Sequence, residues 1–225
     1  MSDVRFGDGL GAGFAAELLT EDLTARRRAL LEHPLWTGVQ AGTVTRAQLA
    51  RFAVQDAWLI RQIAWLDGTL IARAPNPEVA DLLVAKLTPK SGALDGLTAF
   101  GEAFGATRAE IEDPAPIAGC AALTSLFVYQ LMRGTFAEAF ATLAASETVF
   151  IEICGRIEGP LRDRYGLNPK ALVFVSFHDA LDPIGREGAA LLARLVRTDD
   201  ERRAVTAAVG LLYDTEKLFY DAVIA

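Results

Sequence analysis

With 225 residues, 52% of them apolar and 23% charged, the chain is long enough to bury a sizeable core and too hydrophobic to stay disordered. Its 29 acidic and 22 basic residues leave a net charge of −7, which argues against a nucleic-acid binder, whose electrostatic footprint would be a basic surface. The basic residues are scattered except for Arg26, Arg27 and Arg28, most simply a solvated helix face.

Two cysteines, Cys120 and Cys154, make no disulfide framework and have no CxxC spacing. The start MSDVRFGDGLGAGF lacks an apolar stretch of signal-peptide length, and no uncharged apolar run of about 18 residues occurs. The expectation is a cytoplasmic protein with no membrane and no nucleic-acid partner.

Residues 1–14, with glycines at 7, 9, 11 and 13, read as a flexible tail, and 15–225 as one helical domain. FAAELLTEDLTARRRALLEH repeats apolar residues at threes and fours, the spacing of an amphipathic helix. HPLW ends it, because a residue before proline is pushed out of the α region. Thr45 then reads as the N-cap of a helix reaching about Arg73. That helix is apolar on most sides, which predicts a central position. After the turn APNP come two shorter helices, PEVADLLVAKL and SGALDGLTAFGEAFG, the second ending at a glycine.

DPAPI breaks the chain before AGCAALTSLFVYQLMRG, and Gly134 punctuates. TFAEAFATLAASETVFIEICGRIEGPLRDRYG reads as one long helix, with kink sites at Gly155 or Gly159–Pro160. Asn168–Pro169 opens KALVFVSFHDAL, whose VFVSF is assigned to a helix because a lone strand would have no partner. Asp182–Pro183 is a kink site, and DDERRAVTAAVGLLYDTEKLFYDAVIA closes the chain. The prediction is an all-α single domain of seven or eight helices.

No Walker loop, strand-borne GxGxxG, HExxH or GxSxG elbow is present. A site in such a chain must be built from side chains projecting between facing helices. Asp56 interrupts a face made by Phe52, Leu59, Ile60 and Ile63. It is either a buried, partnered acid or an outward one beside Gln55 and Arg61. Glu216 sits among Leu212, Tyr213, Phe219 and Tyr220, either in a pocket or on the surface beside Lys217. Two carboxylates sharing a pocket would raise one another's pKa, which suits acid–base chemistry at neutral pH. His178 and Asp182, at i and i+4, share a helical face that Glu147 can also meet. They are either ligands or ordinary core polar groups. A metal site needs three or more such donors, and a further ligand position three residues after Asp182 holds Gly185.

HPLWTGVQAGTVTRAQLARFAVQDAWLI resembles the opening of the TenA/PqqC group of the haem-oxygenase-like superfamily. Proteins of that group share a histidine–proline start, a glycine about eight residues on, and a long helix bearing a QD pair. The resemblance extends through ARAPNPEVADLL and TLAASETVFIEI to EKLFYDA. It implies a bundle of seven or eight helices around one central pocket. In the TenA (thiaminase II) branch it assigns catalytic roles to Asp56 and Glu216. Ser146 and Phe150 stand where that branch often has a cysteine and a tyrosine, and Glu147 offers a carboxylate instead. Leu59 and Leu123 replace pyrimidine-stacking tyrosines.

The second branch implied is that of di-iron oxidases. Glu147, His178 and Asp182 fall on three of its ligand positions, while Gly185 and Lys90 replace a histidine and a glutamate. A lysine there either pairs with Glu147 or Asp182 or lies in an exposed turn. The expectation is a cofactor-free TenA-like hydrolase or deaminase acting on a small heterocyclic amine of the aminopyrimidine, thiamin-salvage type. Asp56, Glu216, Ser146 and Glu147 would be catalytic, and Phe150, Leu59, Leu123, His178 and Asp182 would contact substrate. A homodimer or homotetramer is implied. The alternatives are an iron-dependent oxidase, with Glu147, His178 and Asp182 on the metal, and a non-catalytic small-molecule binder.

Overall fold

The computed structural model describes residues 21–87, 92–176, 178 and 191–225. The expected tail, residues 15–20, Lys90, the Asp182–Pro183 kink site and Gly185 lie outside these. The described residues form no strand. Their helices are α1 (Glu21–Leu31), α2 (Pro34–Ala41), α3 (Arg46–Ala72), α4 (Pro77–Leu87), α5 (Ala93–Phe104), α6 (Arg108–Glu112), α7 (Ala118–Arg133), α8 (Phe136–Tyr165), α9 (Pro169–Ser176) and α10 (Asp199–Ile224). Residues 191–195 are also helical.

Among the described residues these ten helices and the helical stretch 191–195 exceed the expected seven or eight, and the difference lies in short elements. His33 does end α1, but Pro34 then occupies the first turn of α2, where its missing N–H costs nothing. The His33 ring caps α2: its Nδ1 accepts from the Leu35 amide at 3.1 Å. Nδ1 is therefore unprotonated in this arrangement, and Nε2–H donates to Asp221 on α10 at 2.9 Å. The short α6 starts at a Thr107–Glu110 capping box, between the helix read as ending at a glycine and the DPAPI break. Three long helices start the same way, at Thr45–Gln48, Thr135–Glu138 and Thr198–Glu201. VFVSF is helical, and α8 continues past Gly155 and through Pro160.

The central helix α3 packs against α4, α5, α6, α7 and, less extensively, α8 and α10. Helix α10 packs most closely on α7, where a Cβ at Gly119 would lie 2.5 Å from the Leu218 carbonyl and 2.9 Å from Phe219 Cα. Only glycine permits that crossing. The register of α10 against α3 is pinned at one end. Gln48 Nε2 donates to the Ile224 carbonyl at 2.9 Å and Arg51 to the Val223 carbonyl at 3.2 Å, satisfying carbonyls that a helix end leaves open. The start of α3 thus meets the end of α10, and the two helices run antiparallel. Eight residues inward from Gln48 is Asp56; eight inward from Ile224 is Glu216. An aromatic cluster fills the space beside them: Trp36 meets Phe52 and Tyr220 edge-on at 5.1 and 5.0 Å.

Candidate active site

A cavity of about 480 Å³ lies between α3, α5, α7, α8, α9 and α10. Asp56, Leu59, Leu123, Ser146, Glu147, Phe150, His178 and Glu216 all border it. Asp182 lies outside the described residues. The outward alternatives for the two principal acids fail. Asp56 is 7% exposed and Glu216 2%. Gln55 is itself buried: its amide donates to the Ala115 carbonyl at 3.0 Å and accepts from the Ile117 amide at 2.8 Å, pinning the entry to α7. Lys217 pairs with Asp221 at 2.7 Å rather than with Glu216.

The electrostatics follow mainly from burial. Loss of solvent pushes the Asp56 carboxyl up to about 7, and the charge of Glu216 adds to the rise. Burial likewise pushes Glu216 up to about 7, against smaller downward pulls from Tyr220 and Ser146. Tyr220, one turn on from Glu216, donates its hydroxyl to Glu216 Oε1 at 2.6 Å. The Ser146 hydroxyl acts on the Glu216 carboxyl more weakly than Tyr220 does. Among the described residues Oε2 has no hydrogen-bond partner although it is buried. The site therefore holds two acids, each poised to be protonated or ionised near neutral pH. Cys120 lies beyond Asp56 with its thiol 3.4 Å from the Gln55 carbonyl. Burial, helped by the Asp56 charge, pushes that thiol up to about 12.

His178 Nδ1 is 2.8 Å from the Phe174 carbonyl, and since a carbonyl only accepts, that nitrogen carries a hydrogen. Its ring meets Phe150 and Phe174 edge-on at 4.9 and 5.4 Å. Among the described residues no three His, Cys, Asp or Glu side chains are gathered to hold a metal. Of the three expected metal donors, Glu147 and His178 border the cavity, and Asp182 lies outside the described residues.

Several lining residues are not among those expected. Tyr220 was legible through its i+4 spacing from Glu216. Asp67 is buried and borders the cavity eleven residues after Asp56, three helical turns along the same face of α3. Phe52, Phe127, Phe174 and Phe219 complete the walls. Among the described residues no helix is long and apolar enough to cross a membrane.

The architecture is shared with solved structures of low sequence identity. A TenA homologue from Pseudomonas syringae pv. tomato DC3000 superposes with a TM-score of 0.84 at 15% identity, covering 100% of this chain and 98% of its own. A domain of unknown function with a haem-oxygenase-like fold from Shewanella denitrificans OS217 gives 0.77 at 14%, covering 92% and 90%. A putative TenA-like thiaminase from Sulfolobus solfataricus P2 gives 0.73 at 12%, covering 94% and 96%. The fold is thus haem-oxygenase-like. No curated protein matches the chain. The sequence itself matches the TENA/THI-4/PQQC family over residues 21–221, and the chain belongs to that family.

Proposed function

We propose that this protein is a metal-free, carboxylate-based hydrolase or deaminase of the TenA type, acting on a heterocyclic amine such as an aminopyrimidine of thiamin salvage. The observation that carries the reading is the buried pair Asp56 and Glu216, both raised to about 7 and both facing one cavity. A general acid–base works best when its pKa lies near the operating pH. Asp56 accepts hydrogen bonds from the substrate amine and orients it. Glu216, ionised, takes a proton from a water that adds to the amine-bearing carbon, then delivers it to the departing nitrogen, so that ammonia leaves and a carbonyl remains. Tyr220 fixes the Glu216 carboxyl through Oε1, leaving Oε2 for the proton transfers. Ser146 or Glu147 positions the water. An unactivated serine is a poor nucleophile, so covalent attack by Ser146 is no part of the proposal.

A homodimer or homotetramer belongs to the same proposal. Trp65, Tyr129 and Met132, exposed on the neighbouring helices α3 and α7, offer it an apolar contact. Ammonia release from aminopyrimidines tests the chemistry. Wild-type turnover with at least a hundredfold loss of kcat in Glu216→Gln is expected. Equal turnover by that variant refutes the acid–base role. About two irons per chain in protein from iron-supplemented cells, with activity lost on chelation, overturns the metal-free reading.

A further inference from the structure

We infer that the natural ligand is an amine carrying a long apolar body: its nitrogen lies at Asp56 and Glu216, and its remainder extends along α3 towards Asp67. The inference rests on the proposed function only in taking the carboxyl pair as the amine-binding end.

Length is read from the helix. Phe52, Asp56, Leu59, Ile60, Ile63, Ala64 and Asp67 of α3 all border the cavity. Eleven residues at 1.5 Å each separate Asp56 from Asp67, so the cavity runs about 16 Å beyond the acid pair. Arg61 and Ala64 are exposed and also border it, which places an opening about two turns from Asp56. A bare aminopyrimidine spans only a fraction of that distance. The volume of about 480 Å³ falls in the range of sites for drug-sized molecules.

The walls along this distance are largely apolar. Leu59, Ile60, Ile63, Leu94, Leu123 and Phe127 make much of the lining, with Arg61, Glu147 and His178 among the polar exceptions besides the acid pair. At the inner end Asp56 and Glu216 are both buried acids, and among the described residues no cationic side chain acts on either. Glu216 Oε2 has no hydrogen-bond partner among the described residues. A protonated amine supplies a donor for Oε2 and a positive charge beside the two carboxyls. A ligand carboxylate would instead be repelled by whichever of the two acids is ionised.

Titration calorimetry on the full chain with butylamine, hexylamine and octylamine tests this, with octanol, octanoate and 4-aminopyrimidine as controls. Affinity should rise about fourfold per added methylene. Octanol and octanoate should bind at least tenfold more weakly than octylamine. Ile63→Trp, about 10 Å along α3 from Asp56, should weaken octylamine tenfold or more while sparing butylamine. Asp56→Asn/Glu216→Gln should remove the preference for octylamine over octanol. The inference is overturned if affinity does not grow with chain length, if octanoate matches octylamine, if 4-aminopyrimidine binds more tightly than octylamine, or if no amine binds. Deamination of aminopyrimidines without octylamine binding sinks this inference and spares the hydrolase. Octylamine binding without deamination of any amine does the reverse.

Discussion

Replacing Glu216 with glutamine should make the protein more stable at pH 8 while leaving it nearly unchanged at pH 5. The carboxyl has an ordinary value of 4.5 and stands at about 7 in the folded protein. Because the folded value is the higher one, its contribution to stability is fully present below pH 4.5 and is lost as pH rises through about 7. At 1.36 kcal/mol per pH unit over that interval, ionising Glu216 costs the fold roughly 3 kcal/mol. Glutamine is close in shape to the protonated acid and still accepts from Tyr220 through its amide oxygen, so little changes at low pH. At pH 8 the variant avoids the penalty, and removal of the charge also relieves Asp56 of part of its upward push. For a chain of this length about 3 kcal/mol corresponds to roughly 6–12 °C in Tm. Urea unfolding of both proteins between pH 5 and pH 8 measures the difference, as the wild-type curve should fall more steeply. Parallel curves, or a variant destabilised equally at every pH, would refute the placement of an ionisable Glu216 in the core.

Three further expectations come from neighbouring geometry. Tyr220→Phe removes the hydroxyl that donates to Glu216 Oε1 and should raise the Glu216 pKa further, moving the acid limb of the pH–kcat profile upward, with about 1 kcal/mol lost in urea unfolding at neutral pH; an unmoved limb would count against the contact. Gly119→Ala drives a methyl into the Leu218 carbonyl and should cost about 2 kcal/mol or more in the same assay, whereas a change within 0.5 kcal/mol would mean that α7 and α10 do not cross so closely. Cys120, with its thiol pushed up to about 12, should resist iodoacetamide at pH 8 until the chain is unfolded, and rapid labelling of the native protein would contradict its burial.

Much of the helical layout is written in local signals. Thr45, Thr135 and Thr198 each sit three residues before a Gln or Glu, and each opens a long helix through reciprocal side-chain and backbone bonds that need no tertiary partner. The same signal was present at Thr107–Glu110, but a helix of five residues carries too little apolar periodicity to stand out from the following DPAPI. Proline at the first helical turn explains α2: Pro34 both ends one helix and opens the next.

What periodicity does not contain is which helix faces which. Asp56 and Gln55 are adjacent and both buried, and their separate fates follow from the neighbours: the loop before α7 takes the Gln55 amide, while the cavity receives Asp56. Residues 56 and 216 are 160 positions apart, and only the antiparallel register pinned at Gln48–Ile224 and the close crossing at Gly119 bring their helices to one cavity. A pKa near 7 is likewise a tertiary property, because it arises from lost solvent and, at Asp56, from the charge of Glu216, and not from the residue type. The length and apolar lining of the cavity are tertiary for the same reason, being set by six elements that converge only once the chain has folded.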